Sequence, residues 1–172
     1  CCLKAQILSA VIPNNLGVVC RQTYPELRDT TRSTFMSILQ PDWVKEWKES
    51  ENALTLKNGS TILFRHFENG KMQVGANLGW FFIDQAEEAS EDIFLGLMGR
   101  LRRSVPRHYG ILAMNPNGQD WQYKMFVQDK DPQFANFDSS SMDNRDNLPK
   151  GYIETMLAKY PKDYTDRFIH GK

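Results

Sequence analysis

The sequence predicts an α/β protein in which a mainly parallel sheet is flanked by helices and carries a β-hairpin insertion. Three short apolar runs bounded by glycine or turn residues are typical of buried strands. These runs are residues 17–22, 81–83 and 109–114. Segments with helical periodicity separate them, and strands that alternate with helices favour the crossover connections of a parallel sheet.

The remaining elements follow from periodicity and from turn residues. Asn58-Gly59 separates two alternating runs, residues 53–56 and 61–67, and this dipeptide between such runs predicts a hairpin. Helices are expected, in chain order, at residues 1–10, 27–39, 91–102, 121–126, 149–160 and 163–170, with a helical turn at 43–47 and a strand at 134–140. Since no long linker interrupts these elements, we expect residues 1–172 to form one compact unit.

Composition limits the classes of function. The 172 residues carry 21 Lys plus Arg and 21 Asp plus Glu, so no overall basic charge points to a nucleic-acid partner. No apolar run approaches the length of a membrane span, so we expect no membrane association. The three cysteines lack zinc-site spacing and predict free thiols. Cys1 and Cys2 should be small apolar residues on a buried helix face, with Leu3, Ile7 and Leu8 on one side of that helix.

The segment Gly79–Glu88 points most strongly to chemistry. Its apolar strand runs directly into Asp84, and in open α/β sheets ligands bind beyond the carboxyl ends of the strands. There Asp84 would hold a magnesium ion through water, as in the Walker B segment of nucleotide-hydrolysing motors. Glu87 or Glu88 would polarise the attacking water, and the residues leave open which of them does so. The structural alternative is that Asp84 caps the next helix.

A second polar group follows the strand at 109–114. Asn115 comes directly after this strand, and neighbouring parallel strands would place it at the same edge of the sheet as Asp84. An amide at that edge suits the sensing of a nucleotide phosphate. The alternative is that Asn115 simply forms a turn before Pro116.

Two groups of basic residues are candidates for binding anions. Arg21 closes the strand at 17–22 and is placed to face a nucleotide base or phosphate, although a salt-bridged surface arginine is an equal alternative. Arg100, Arg102 and Arg103, with Arg107, could contact DNA phosphates or the nucleotide of a neighbouring subunit. The alternative for these arginines is a solvated helix end, where cations favourably meet the helix dipole.

A phosphate-binding loop of the form GxxxxGK[ST] is absent from residues 1–172. Such a loop supplies backbone N–H groups and a lysine to the phosphates and opens a helix like the one at 1–10. We therefore expect the loop to lie before residue 1, and the fragment alone to bind nucleotide poorly.

Several segments resemble the large terminase subunits of tailed bacteriophages, and they occur in the order typical of that family. They are Arg21–Thr30, Phe81–Glu88, Gly99–Arg102, Met114–Gly118 with Trp121 and Phe126 beyond it, and finally Asp143-Asn144, Leu148-Pro149 and Tyr164–Gly171. The segment Phe81–Glu88 is similar to the Walker B strand of the family, and Met114–Gly118 is similar to its coupling motif.

The resemblance implies a truncated ATPase domain over residues 1–172, with a P-loop NTPase core of the RecA/ASCE type. It implies ATP and Mg²⁺ as cofactors and the packaging of double-stranded viral DNA into a procapsid. The implied partners are DNA, a small terminase subunit, the portal ring and further copies of the chain in a homo-oligomeric ring. The implied setting is the cytoplasm of an infected bacterium, as a virion assembly intermediate. A nuclease domain is expected after residue 172.

This sequence departs from the family pattern at two places. Gln85 stands where the family commonly has glutamate directly after the Walker B aspartate, and an amide cannot act as a base. Glu88 or Glu87 would then have to take that role. The basic residue that reaches a neighbouring subunit's ATP has Lys71 as its nearest candidate here. Two alternatives stay open, a helicase-like P-loop motor and a catalytically weakened nucleotide-sheet domain used for assembly.

Overall fold

The computed structural model describes residues 1–67, 75–129 and 131–171. The chain divides into two compact units, Cys1–Met114 and Asn115–Lys172. The expectation of one compact unit is therefore wrong. The physical reason is that the six strands of the sheet all end by Ala113, and the described residues after Met114 add no strand to it.

The first unit is built on a six-stranded sheet with the order β2-β3-β4-β1-β5-β6. The strands are β1 Leu16–Arg21, β2 Val44–Lys48, β3 Ala53–Leu56, β4 Thr61–His66, β5 Trp80–Asp84 and β6 Tyr109–Ala113. Strands β4, β1, β5 and β6 run parallel, whereas β2 and β3 are antiparallel additions at one side. This confirms the predicted mainly parallel sheet and its hairpin, which is formed by β3 and β4.

Helices flank the sheet and also make up the second unit. They are α1 Cys2–Val11, α2 Tyr24–Glu26, α3 Ser33–Ser37, α4 Glu91–Met98, α5 Tyr152–Lys159 and α6 Lys162–Phe168. Two segments have π-helical geometry, Leu27–Arg32 between α2 and α3, and Tyr123–Gln128 in the second unit. Short 3₁₀ turns occur at Pro41–Trp43, Glu49–Glu51, Ala86–Glu88 and Arg145–Asn147. Among the described residues, no helix has the length and apolar character needed to cross a membrane.

The core lies on both faces of the sheet because successive side chains of a strand point to opposite sides. On one face Trp80 and Phe82 join a buried cluster with Phe35 of α3 and small side chains of α1. On the other face Phe81 meets Phe94 of α4, with ring centroids 6.0 Å apart. The helices therefore cover both faces, which explains why β5 is apolar up to its last residue, Asp84.

The buried side of α1 differs from the expectation. Ala5 and Leu8 face the sheet, whereas Leu3 and Ile7 are 57% and 41% exposed. The small side chain of Ala5 lets the helix lie close to the sheet, and buried Gln6 donates a hydrogen bond to the backbone oxygen of Phe35 at 2.7 Å. Cys1 is exposed and Cys2 is half-buried, so the prediction of a buried face is wrong for Cys1 and only partly right for Cys2. All three cysteines are free thiols, as expected.

The hairpin turn between β3 and β4 holds the end of α1. The side-chain amide of Asn58 donates to the carbonyl oxygens of Ser9 and Ala10, at 2.8 and 2.9 Å. Its backbone oxygen accepts from the amide of Asn14 at 3.2 Å. These bonds satisfy carbonyl groups that a helix end otherwise leaves without partners. The turn therefore fixes the connection from α1 into β1.

Two predicted elements are wrong. The helical turn expected at 43–47 is instead strand β2, which pairs antiparallel with β3. Half-buried Val44 and Trp47 pack against the main core, so tertiary pairing outweighs local helical preference there. The strand expected at 134–140 does not form, and that segment is irregular in the second unit.

Other helices are confirmed with different limits. Helix α4 follows Ser90 as predicted and buries Ile93 and Leu97, but it ends at Met98 rather than near residue 102. Gly99 and the turn after it redirect the chain, because the oxygen of Arg100 accepts a bond from Leu78 just before β5. The helical run from Tyr24 to Ser37 and the two terminal helices are also confirmed.

Candidate active site at the carboxyl edge of the sheet

The carboxyl ends of β1, β5 and β6 meet at one edge of the sheet because these strands are parallel neighbours. Cys20 lies opposite Ile83, and Asp84 lies opposite Ala113. The last residue of β1, Arg21, therefore reaches the same edge as Asp84. The amino end of α1 points toward this edge, because the carboxyl end of the helix lies beside the start of β1, where Asn15 donates to the Leu8 oxygen at 3.4 Å. Burial raises the pKa of the Cys2 thiol, and the charge of Asp84 raises it further.

Asp84 is held by a buried hydroxyl. Thr31, only 2% exposed, donates a hydrogen bond from Oγ1 to Oδ2 of Asp84 at 2.6 Å. Thr31 lies on the π-helical segment Leu27–Arg32, which packs beside β4 and β1. The expectation that Asp84 only caps the following helix does not describe this contact, because its partner is 53 residues away in sequence.

Arg21 is the cation of the site. Its Nη1 lies 3.7 Å from Asp84 Oδ2 and donates to Thr30 Oγ1 at 2.5 Å, while its Nε lies 4.0 Å from Glu26 Oε2. Its side chain is 13% exposed, and Nε has no hydrogen-bond partner among the described residues. Arg21 is thus ion-paired, as one of the two alternatives expected. Its side chain is, however, mostly buried at the carboxyl edge of the sheet and does not lie on the surface.

The two candidate bases follow Asp84 on a tight turn. Gln85 has a left-handed backbone with φ of 53°, and the amide of Glu88 closes the turn by donating to the Gln85 oxygen at 3.0 Å. A non-glycine residue in this region is uncommon and is often found at functional sites. The turn keeps Glu88 near Asp84 and Arg21, whose charges both act on its carboxyl group.

Glu88 has an environment that perturbs its acidity. Burial is the main cause that raises the pKa of its carboxyl group, and the negative charges of Glu26, Glu87 and Asp84 add to it while Arg21 opposes them. One oxygen, Oε2, is buried and has no hydrogen-bond partner among the described residues. A carboxylate that is partly desolvated and lacks a donor is suited to accept a hydrogen bond from water.

The donor set at the edge restricts which metal could bind. Within the described part of the chain, no three or more His, Cys, Asp or Glu side chains are grouped as metal ligands. Asp84 therefore offers a single carboxylate. Magnesium commonly uses one or two carboxylates and keeps several waters, so this donor set fits a hydrated magnesium ion.

The predicted arginine patch lies at the opposite edge of the sheet. Arg103 donates from Nε to the oxygen of Asn14, before β1, at 2.8 Å, and its amide donates to Leu78, before β5. Arg102 is exposed, whereas Arg100 and Arg103 are half-buried. Helix α4 has no basic residue in its last turn, so these arginines follow the helix and do not lie within it, whereas exposed Arg102 is solvated as the alternative expected. The structure does not bring these arginines to Asp84.

Asn115 and Lys71 are the two remaining residues predicted for the site. Asn115 is half-buried and begins the second unit, two residues after β6 ends at Ala113. Strands β5 and β6 do end at a common edge, and phosphate sensing by Asn115 stays a prediction. Lys71 lies outside the described residues.

Sequence reasoning missed the hydroxyl groups of the site. Thr31 is spaced four residues from both Leu27 and Phe35, and all three are buried. A polar residue on the buried stripe of a helix usually needs a specific partner. The position of Thr31 on a buried stripe could therefore have predicted its role. Nothing comparable in the sequence distinguishes Thr30 and Glu26.

Comparisons with known proteins extend these observations. A family model described as "Phage terminase large subunit" matches residues 16–170. The PBSX phage terminase large subunit of Bacillus subtilis (strain 168) is 25% identical over 150 residues. That alignment covers 84% of this chain and 35% of the relative, so the chain spans about a third of the relative's length.

Solved structures show the same fold. The large terminase of a thermophilic bacteriophage in complex with ATP-gamma-S has a TM-score of 0.76 and 19% identity, covering 99% of this chain and 43% of that one. The large terminase ATPase domain of Thermus phage P74-26 has a TM-score of 0.67 and 13% identity, covering 99% of this chain and 81% of that one.

Proposed function

Because this chain belongs to the phage terminase large subunit family, we propose that it is the ATPase domain of a motor that packages double-stranded viral DNA into a procapsid. One observation supports this most directly. An acid at the end of β5 and an arginine at the end of β1 meet at the carboxyl edge of a parallel sheet. That edge is where such sheets bind ligands.

Asp84 would hold the magnesium ion of Mg-ATP through water. The Thr31 hydroxyl occupies Oδ2 and fixes the direction of the carboxylate, so the group does not have to be ordered again when nucleotide binds. Bound magnesium would neutralise phosphate charge. A phosphate-binding loop leading into α1 would lie beside Asp84, where the positive end of the helix dipole also favours phosphate.

Glu88 is our choice for the group that orients the attacking water. Its buried Oε2 has no protein donor among the described residues, and burial, with the negative charges nearby, raises the pKa of its carboxyl group. Gln85 contributes through its backbone, because its left-handed conformation turns the chain so that Glu88 faces the edge. Glu87 is the second candidate for the same role.

The wider assignment concerns partners. We propose DNA, a small terminase subunit, the portal ring and further copies of this chain in a ring, acting in the cytoplasm of the infected host. Arg102 is exposed at the amino edge and is available to DNA phosphates or to a neighbouring subunit. Arg100 and Arg103 would act beside it, Asn115 would sense phosphate, and Lys71 would reach a neighbour's nucleotide.

The assignment is tested in the natural protein that carries this chain, by comparing Asp84→Asn with Asp42→Asn. Asp42 is exposed on a 3₁₀ turn, which makes it a matched control for loss of one charge. We expect Asp84→Asn to lower steady-state ATP hydrolysis at least about a hundredfold, in the range seen when a charge-stabilising group is removed. Asp42→Asn should stay within about twofold. Both should remain folded at the assay temperature, which a thermal unfolding curve checks. Near-parental turnover in Asp84→Asn would exclude Asp84 from the site.

A second candidate function has one observation in its favour. Gln85, which cannot act as a base, directly follows Asp84, and this would suit a domain that binds nucleotide for assembly without hydrolysing it. Such a protein would bind ATP-gamma-S in the presence of magnesium and show no turnover above that of Asp84→Asn.

A further inference from the structure

We propose that Thr30 and Thr31 form a hydroxyl spacer that holds Arg21 and Asp84 apart, so that both charged groups stay available to the nucleotide. The inference rests on the proposed ATPase function for its purpose, but the spacing itself is a property of the folded chain. Neither threonine would touch the reacting atoms. Both are positioning residues.

The distance between the two charges is the first observation. Arg21 Nη1 and Asp84 Oδ2 are 3.7 Å apart, with their side chains 13% and 23% exposed. Direct arginine–carboxylate hydrogen bonds are about 2.7–2.9 Å long. Two opposite charges with so little water around them attract each other strongly, so a pair that stops short of contact is held in place by other groups.

The hydrogen bonds of the Thr30 and Thr31 hydroxyls show what holds Arg21 and Asp84 in place. Thr30 donates its proton to the backbone oxygen of Glu26 at 2.7 Å, which leaves its oxygen free to accept from Arg21 Nη1 at 2.5 Å. Thr31 donates its proton to Asp84 Oδ2 at 2.6 Å. Adjacent threonines therefore present opposite polarity, one accepting from the cation and the other donating to the anion. Each charged group finds its hydrogen bond in a hydroxyl and not in the other charged group.

The local backbone sets where the two hydroxyls lie. Both threonines belong to the π-helical segment Leu27–Arg32, and such segments recur at functional sites. Thr31 lies on the buried stripe between Leu27 and Phe35, which leaves its side chain no room to turn away. If the hydroxyl were on a mobile loop, it could move away, and Arg21 would then take its place as the hydrogen-bond partner of Asp84.

The closing experiment compares three variants in the natural protein. Thr31→Val removes the hydroxyl with little change of shape, and Thr31→Ser restores it. Thr165→Val is the matched control, because Thr165 is also buried and its hydroxyl bonds only the backbone oxygen of Lys162 in its own helix. Crystal structures give the Arg21–Asp84 distance. Kinetics give kcat, KM for ATP and the magnesium concentration for half-maximal rate.

In Thr31→Val we expect the Arg21–Asp84 distance to close to about 3 Å, the length of a direct hydrogen bond. We expect kcat to fall about tenfold to a hundredfold, the range that a hydrogen bond to a charged group is worth, with a smaller change in KM. Half-maximal magnesium should rise, because the carboxylate is then engaged by Arg21. Thr31→Ser should recover the parental values, and Thr165→Val should keep them.

Two results separate this inference from the proposed function. If the distance in Thr31→Val stays near 3.7 Å, or kcat is unchanged in an active protein, the spacer is overturned. If the parental protein hydrolyses no ATP while the distance still closes in Thr31→Val, the spacer is supported and the proposed function fails.

Discussion

Gly17→Ala should destabilise the first unit strongly. Gly17 lies on β1, and a Cβ added there would be 1.8 Å from Cε2 of Trp80 on the neighbouring strand β5. Carbon atoms in contact are normally about 3.5–4.0 Å apart, so β1 or the indole would have to move by about 2 Å. Trp80 is 0% exposed and has no free space to enter. Overpacking commonly costs about 1–3 kcal/mol and occasionally more, and here we expect at least about 3 kcal/mol.

Gly96→Ala is the matched control for this prediction. Gly96 lies in α4, is exposed, and an added Cβ there would meet nothing within 4 Å. Alanine is favoured over glycine inside a helix by about 0.5–1 kcal/mol, so the same chemical change should stabilise at this position. Urea unfolding followed by tryptophan fluorescence measures both. A loss below about 1 kcal/mol in Gly17→Ala would refute the reasoning, because overpacking against a fixed indole costs more than that.

Three further outcomes are expected. In the folded protein burial raises the pKa of Glu88 above its ordinary 4.5, so the folded state binds that proton more tightly and stability is lost as pH rises through the raised pKa. Glu88→Gln removes this loss, so urea unfolding at a series of pH values should show the variant gaining stability relative to the parent as the pH rises above 4.5, and a constant difference would contradict the assignment. The same variant should lose about 10²–10⁴-fold in ATP turnover, far more than Gln85→Ala, and the reverse order would exclude Glu88 as the water-orienting group. Asn58→Ala should cost about 1–2 kcal/mol in thermal unfolding through the lost bonds to the end of α1, with exposed Lys57→Ala as the unaffected control.

The parallel strands were predictable because strands that are buried on both faces consist almost entirely of apolar residues. Trp80–Asp84 is apolar until its last residue, and only a strand covered on both faces reads this way. The Asn-Gly turn likewise predicted its hairpin. Strand β2 could not be predicted, because its polar sequence forms a strand only where β3 offers a partner. Residues 134–140 show the reverse case, since a strand-like sequence that pairs with none of the described strands stays irregular.

The candidate site was predictable in part. Asp84 and Arg21 each end an apolar strand, and that placement indicated a role for both. Their separation of 3.7 Å and the hydroxyls between them were not predictable, because they depend on the π-helical segment and on how it packs beside β1. The arginines after α4 show a further limit, since periodicity extended that helix past Gly99 and hid the turn that carries them to the other edge.

The tip of the β3–β4 hairpin has a consequence for engineering. Exposed turns between strands usually tolerate an epitope tag, a fluorophore or a circular-permutation break. Here Gly59 adopts φ of 85°, and a Cβ in its place would lie 2.2 Å from the side chain of Asn14. Its neighbour Asn58 is bonded to the helix that precedes β1. A label inserted at this tip would separate the first helix from the sheet. The turn that looks most permissive on sequence grounds is therefore one of the least suitable places for an insertion.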